Sequence, residues 1–277
     1  MSTATLSPAR PRATKAVPAG PRVTQARVIR SEWIKFWSLR STATTLAVAV
    51  TLMIGIGLLA SSMLNSGTAA GPGPGDDLSP VQASLAGLTF AQLAFGTLGV
   101  LFMAGEYSTG MIRSSLTAVP KRLPVLWGKI AVFAAVAFVT GLVASAVAFS
   151  GGQALISDGA AAWSDPGVAR AVIGSAVVLA GSGVLGLALG ALLRSTPAAI
   201  STLFGALFLL SGVAQLLLPD AWRDNIVQYL PSNAGGAFTS VTRGADALGP
   251  WAGLAVFLGY VVVVVVAGAW RLKRSDA

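Results

Sequence analysis

Six apolar stretches, each close to 20 residues long, limit what this chain can fold into. A helix of about 20 apolar residues spans the hydrocarbon core of a bilayer, and only 10% of the 277 residues are charged. The predicted fold class is therefore all-α, a polytopic membrane protein with six transmembrane helices. The predicted spans are 43–64, 83–104, 125–150, 171–193, 198–218 and 251–270.

The positive charges predict the orientation of these spans. The net charge is +9, which by itself would suggest a nucleic-acid partner. However, sixteen of the nineteen Lys and Arg residues lie in the segments on the side of the two termini. By the positive-inside rule, both termini are cytoplasmic and the basic residues face the inside of a plasma membrane. The predicted surroundings are therefore a lipid bilayer, without nucleic acid. Lys129, one turn from a span end, is expected to snorkel to the interface.

The chain divides into three predicted regions. Residues 1–24 are Pro-rich and basic and predict a disordered cytoplasmic tail. Residues 25–41 predict an amphipathic helix in the membrane interface, with an alternative reading as a cytosolic extension of the first span. Residues 42–277 form the six-helix domain, in which the loop 219–250 predicts one or two short helices at the outer surface. The apolar face predicted for the interfacial helix consists of Ile29, Trp33, Phe36 and Trp37.

Two residue types that most often carry catalysis and metal binding are missing from the chain. It contains no Cys and no His, which excludes disulfides, Cys- or His-based metal sites and a histidine general base. The sequence also has no phosphate-binding G-x-x-x-x-G-K-[ST] loop. We therefore predict no catalytic residue, no metal site and no enzymatic activity. If the protein transports a molecule against its gradient, the energy would have to come from another polypeptide.

One polar segment separates the second and third predicted spans. It reads GEYSTGMIRSSLTAVPKR over residues 105–122. Its first two residues, Gly105 and Glu106, are expected to end the second span, and residues 107–118 predict a short helix that Pro120 ends. Such a helix between two membrane helices could act as a lever. The alternative is an ordinary cytoplasmic loop with a basic cluster.

This segment resembles the one that follows the second helix in ATP-binding cassette (ABC) type-2 exporter permeases, in the form common among actinobacterial proteins. Met111 departs from the family, which usually has Thr there. Similar stretches also occur in RSEWIKFWSLRS, YLPSNAGGAF and YVVVVVVAGAWRLKRSDA, so the resemblance extends over the chain from about Arg27. The matching residues of the segment are Glu106, Tyr107, Gly110, Arg113, Leu116, Pro120, Lys121 and Arg122.

The resemblance implies a permease subunit, and residues 42–277 would be its permease domain. Residues 107–118 would be a coupling helix that docks on a separate ATPase subunit, which binds ATP and Mg²⁺, so this chain itself needs no cofactor. A second permease copy, identical or different, would complete the translocation path. Glu106 would either pair with a cation of the interfacial helix or act in coupling. The alternative function is a non-transporting membrane scaffold or immunity protein.

Polar and small residues within the spans suggest a path and a packing surface. Thr89, Gln92 and Gln215 would line a translocation path by the same resemblance, or only make hydrogen bonds between helices. Gly183, Gly186 and Gly190 lie on one face of the fourth span. Small residues there let helices approach closely, within one subunit or at a dimer contact.

Overall fold

The computed structural model describes residues 24–68, 78–111, 123–219, 222, 225–242 and 247–274. Every secondary-structure element in these ranges is helical. Six helical segments are long and apolar enough to cross a membrane, so the predicted all-α class and number of spans are confirmed and the chain is a membrane protein by composition. The six spans are Arg40–Asn65, Pro80–Ser108, Leu123–Leu155, Val168–Leu193, Thr196–Leu217 and Pro250–Arg274.

A separate helix, α1 (Gln25–Ser38), precedes the first span, α2 (Arg40–Asn65). Leu39 between them is extended, with φ −90° and ψ 115°, so the two helices are not continuous. A helix thus occurs where the sequence predicts one. Its placement in a membrane interface remains a prediction.

The buried face of α1 differs from the predicted apolar face. Phe36 is 1% exposed, whereas Trp33 and Trp37 are 46% and 51% exposed. The buried residues are Val28, Glu32 and Phe36, which follow each other at intervals of four along the helix. The aromatic face is therefore divided: one ring packs into the protein, and the tryptophans lie on its surface.

The second span is bent near its start. It consists of a short helix, α3 (Pro80–Ser84), and a long one, α4 (Leu88–Ser108), joined by a turn over residues 85–87. Gly87 in this turn lies against the backbone of Met53 in α2, where a Cβ would clash with the Met53 carbonyl oxygen. The turn therefore brings the first two spans into close contact.

The end of the second span corrects the sequence prediction. The helix does not stop at Glu106 but continues to Ser108, so Tyr107 belongs to its last turn rather than to a separate coupling helix. Gly110 follows with φ +72°, a left-handed conformation that favours glycine and ends helices. The helix is longer because Glu106 has buried partners, as described below.

The third span, α5 (Leu123–Leu155), and the fourth, α6 (Val168–Leu193), form the middle of the bundle. In the most apolar window of α6, 83% of the residues are buried, compared with 22% for the first span. Gly186 lies so close to α4 that a Cβ would clash with the Gly96 carbonyl oxygen. The fourth span is therefore the central helix of the fold, as its small residues allow.

The fifth span is irregular. A π-helical turn (Gly205–Leu209) interrupts it between α7 (Thr196–Phe204) and α8 (Leu210–Leu217). Such turns are rare and occur frequently at functional sites.

A short helix, α9 (Pro231–Thr239), packs against α6 and the sixth span, α10 (Pro250–Arg274). Pro231, Ala234, Gly235 and Phe238 of α9 are buried. The predicted short helix in the loop 219–250 is therefore present and packs into the bundle, while its position at the outer membrane surface stays a prediction. Pro231 stands at the first helical position, where proline is favoured.

The end of α9 is fixed by a basic side chain. Arg170, at the start of α6, donates hydrogen bonds to the carbonyl oxygens of Phe238 and Ser240. The last carbonyl groups of a helix have no partner within the helix, and cations are favoured beside them. One of the few cations outside the basic segments therefore has a structural role.

Candidate functional site

Four charged side chains from three helices meet near one end of the bundle. Glu32 and Lys35 lie on α1, Glu106 on the last turn of α4, and Lys129 on the second turn of α5. We call these four residues the charge cluster. Two carboxylates and two ammonium groups give it no net formal charge. It connects α1 to the second and third spans.

Lys129 is the centre of the charge cluster. Its side chain is 0% exposed, and its Nζ lies 2.7 Å from Glu32 Oε2 and 2.6 Å from Glu106 Oε1. The ammonium group also lies 3.4 Å from the Phe102 carbonyl oxygen and 4.2 Å from the centroid of the Phe102 ring. The prediction that Lys129 snorkels to the interface is therefore wrong. A buried ammonium needs paired charges and hydrogen bonds, and both are present here.

Lys35 closes the cluster on its outer side. Its Nζ lies 2.8 Å from Glu32 Oε1 and 3.2 Å from Glu106 Oε1, and its side chain is 28% exposed. Burial lowers the pKa of Lys35, but the hydrogen bond to Glu32 and the negative charges of Glu106 and Glu32 outweigh this effect. The pKa is therefore raised above its ordinary value of 10.5. This ammonium stays charged at any physiological pH.

Sequence reasoning found part of this cluster. It proposed that Glu106 pairs with a cation of the interfacial helix, and Glu106 does pair with Lys35. It missed Glu32 and the pairing of Lys129. A signal was available in the sequence, because the chain contains only two glutamates. Both of them lie in the charge cluster. Glu32 also shares one helix face with Val28 and Phe36.

One oxygen of the cluster is unpaired. Glu106 Oε2 is buried, and no described residue donates a hydrogen bond to it. The neighbouring Tyr107 lies beside the turn between α6 and α7, with the Arg194 guanidinium 5.2 Å from its ring centroid. The last turn of α4 therefore contacts several elements at once.

The remaining residues predicted for coupling are placed only in part. Gly110 is exposed and a Cβ there would meet no neighbour. Residues 112–122, and with them the predicted Arg113, Leu116, Pro120 and Arg122, lie outside the described residues. The polar segment thus separates from the bundle at Gly110, after the end of α4.

Two of the three predicted path residues lie together. Thr89 and Gln92 line a cavity of about 370 Å³, which we call the polar cavity. Gln92 is 7% exposed and donates a hydrogen bond to Ser182 Oγ on α6 at 3.3 Å. Gln215 is exposed on α8 and does not line the cavity. The structure therefore separates the two glutamines that sequence reasoning grouped.

The three predicted packing glycines all lie inside the chain's own bundle. Gly186 faces Gly96, and Gly190 faces the backbone of Val100 and Ala104. Gly183 lies against the Phe133 ring of α5 and the Phe95 carbonyl oxygen. These contacts bring α4, α5 and α6 together.

No protein-family model matches the chain, and no curated protein is similar to it at a significant level. Within the described ranges, no group of three or more acidic, His or Cys side chains could hold a metal ion. The geometry of the two polar regions, the charge cluster and the polar cavity, therefore carries the functional argument.

Proposed function

We propose that the chain is the permease subunit of an ABC exporter, which forms a translocation path as a dimer and is coupled to a separate ATPase. The subunit would reside in the plasma membrane with the charge cluster and both termini on the cytoplasmic side. ATP and Mg²⁺ would bind to the ATPase partner, since the sequence has no phosphate-binding loop.

The charge cluster is the observation that carries this proposal. The segment 109–122 connects the last turn of α4, which carries Glu106, to the start of α5, whose second turn carries Lys129. Glu32 binds the same ammonium group from α1. Because these three helices share buried ion pairs, a force on the connecting segment would move them as one unit.

The position of the cluster also favours coupling over simple anchoring. A lever works only if its attachment is stiff, and an ion pair without access to water is held by strong, directional hydrogen bonds. The Phe36, Phe102 and Phe133 rings pack against one another beside it. Aromatic packing and paired charges together stiffen the base of the segment.

Affinity purification of the tagged, full-length chain from its native membranes in mild detergent tests the proposal. We expect a nucleotide-binding ATPase to co-purify with the native chain. The double variant Arg113→Ala and Leu116→Ala should lose this ATPase, because both residues lie in the proposed contact. Tyr107 is left unchanged, since its half-buried ring packs beside Arg194.

A matched control distinguishes the loss of ATPase docking from a general loss of folded protein. The double variant Arg274→Ala and Leu258→Ala removes the same residue types from exposed positions on α10 and should retain the ATPase. If no ATPase co-purifies even after mild crosslinking, the exporter proposal is wrong. A non-transporting membrane scaffold would then be the better description.

A further inference from the structure

The polar cavity lies far from the charge cluster. Gln92 and Glu106 are 14 residues apart on α4, which is about 21 Å along the helix axis. The turn after α3, the start of α4, α6, the π-helical turn and α9 all contribute lining residues. Its volume of about 370 Å³ lies in the range of small-molecule sites.

The amide of Gln92 has a fixed orientation. Ser182 Oγ donates its single proton to the Val178 carbonyl oxygen at 2.8 Å, so towards Gln92 it can only accept. The amide nitrogen of Gln92 must therefore face Ser182. Its carbonyl oxygen, Oε1, receives no hydrogen bond from any described residue.

A second amide that lines the cavity repeats this arrangement. Asn233 of α9 donates its Nδ2 to the Val227 carbonyl oxygen at 2.8 Å. A carbonyl oxygen accepts only, so this amide is also fixed, and its Oδ1 has no donor among the described residues. By contrast, the lining residue Gln82 uses both ends of its amide: it accepts from the Ser79 backbone nitrogen and donates to two hydroxyl groups. Two residues that line the cavity thus each carry an amide oxygen without a donor among the described residues.

The other walls of the cavity combine hydroxyl groups, among them those of Thr89, Ser232 and Thr239, with apolar side chains. Val178 lies on α6, and the π-helical turn supplies Leu207 and Phe208. None of the described lining residues is charged, so a charged ligand would lose its water without gaining a counter-charge from them. Arg170, which binds the end of α9, already donates to two carbonyl groups.

We propose that the polar cavity binds an uncharged amphipathic molecule whose headgroup donates hydrogen bonds. Hydroxyl or amide groups of the headgroup would meet Gln92 Oε1 and Asn233 Oδ1, and its apolar part would contact Phe208 and Leu207. The assignment of this molecule as exported cargo rests on the proposed function, whereas the binding itself does not.

A photoreactive alkyl glucoside with a diazirine on its chain tests the site on the full-length protein in lipid nanodiscs. We expect saturable labelling within residues 82–92, 207–208 and 232–240, mapped by mass spectrometry. An unlabelled alkyl glucoside should compete. An alkyl sulfate and an alkyl trimethylammonium of the same chain length should compete at least about tenfold more weakly.

Two matched pairs of variants locate the binding. Gly236 lines the cavity and a Cβ there would meet no neighbour, so Gly236→Leu should fill the cavity without disturbing the fold and abolish saturable labelling. Gly259→Leu, at an equally open position on α10, should have no effect. Gln92→Leu should weaken binding about 5- to 10-fold by removing one acceptor, and Gln215→Leu should not.

The outcomes separate this inference from the proposed function. Labelling that does not saturate, or that persists in Gly236→Leu, overturns the site. Equal competition by an ionic amphiphile overturns the uncharged ligand class. If saturable labelling is found but no ATPase co-purifies with the chain, the binding site stands and only its role in export fails.

Discussion

The charge cluster and the polar cavity solve the burial of polar groups in opposite ways. In the charge cluster, four ionised side chains from three helices pair with one another, and Lys129 is 0% exposed. In the polar cavity, uncharged amides from α4 and α9 bond to the protein at one end only. The first region contains its own counter-charges, although Glu106 Oε2 has no partner among the described residues. The second leaves two amide oxygens without a donor beside a space of about 370 Å³.

The charge cluster is therefore suited to hold helices rigidly, and the polar cavity is suited to bind a ligand. A buried charge without its partner is very costly, so the charge cluster holds a single arrangement of α1, α4 and α5. An uncharged amide with one free end costs far less, and a ligand can supply the missing partner. The stiff region lies next to the segment 109–122, and the open region lies at the other end of α4.

The largest expected effect is on stability at the charge cluster. Lys129→Met removes the ammonium that both glutamates contact and leaves them with Lys35 alone. We expect the free energy of unfolding to fall by about 3–5 kcal/mol. Titration with sodium dodecyl sulfate in mixed micelles, followed by tryptophan fluorescence, measures this change. Lys273→Met, at an exposed position on α10, should change it by less than about 0.5 kcal/mol.

A double variant checks that the loss comes from unbalanced charge. Lys129→Met combined with Glu106→Gln leaves Glu32 paired with Lys35 and restores neutrality. It should recover about 1–3 kcal/mol relative to Lys129→Met alone. A double variant no more stable than the single one would mean that Lys129 acts through packing only.

A smaller effect contrasts two glutamines at the cavity end of the bundle. Gln153 uses its whole amide: it donates to the Pro80 carbonyl oxygen and Ser84 Oγ and accepts from the Ala161 backbone nitrogen. Gln153→Leu should therefore lower the free energy of unfolding by about 2–4 kcal/mol, and Gln92→Leu by less than about 1.5 kcal/mol. The same detergent titration compares them. Equal losses would contradict the half-free amide of Gln92.

The smallest expected effect is the pH dependence of Lys35. Its pKa in the fold is raised above 10.5, so its pairing contributes fully below the unfolded value and is lost as the pH rises through the folded value. The stability difference between native protein and Lys35→Met should be constant from about pH 7 to pH 10 and shrink above that. A difference that shrinks already near pH 8 would contradict the raised pKa.

Local patterns in the sequence were sufficient for much of the architecture. Six apolar stretches predicted six spans, and the observed helices begin and end within a few residues of most predicted limits. The close packing of α6 against its neighbours also follows from its small residues. These properties depend on neighbours along the chain, so they can be read without knowing the partners of each helix.

The tertiary structure decided which face of each helix meets protein. In a membrane, lipid-facing and protein-facing surfaces are both apolar, so hydropathy does not distinguish them. The sequence therefore could not tell that Gln92 lies inside the bundle and Gln215 on its surface, or that α9 packs between α6 and α10.

The charge cluster shows the same division. The sequence by itself determined that two glutamates and two lysines lie in or next to the basic segments. Only the packing of α1 against α4 and α5 brought the carboxylates of Glu32 and Glu106 to 2.7 Å and 2.6 Å from the Lys129 Nζ. Ion pairs between distant segments depend on three-dimensional distance, because Coulomb attraction and hydrogen bonding act over a few ångströms of space rather than along the chain.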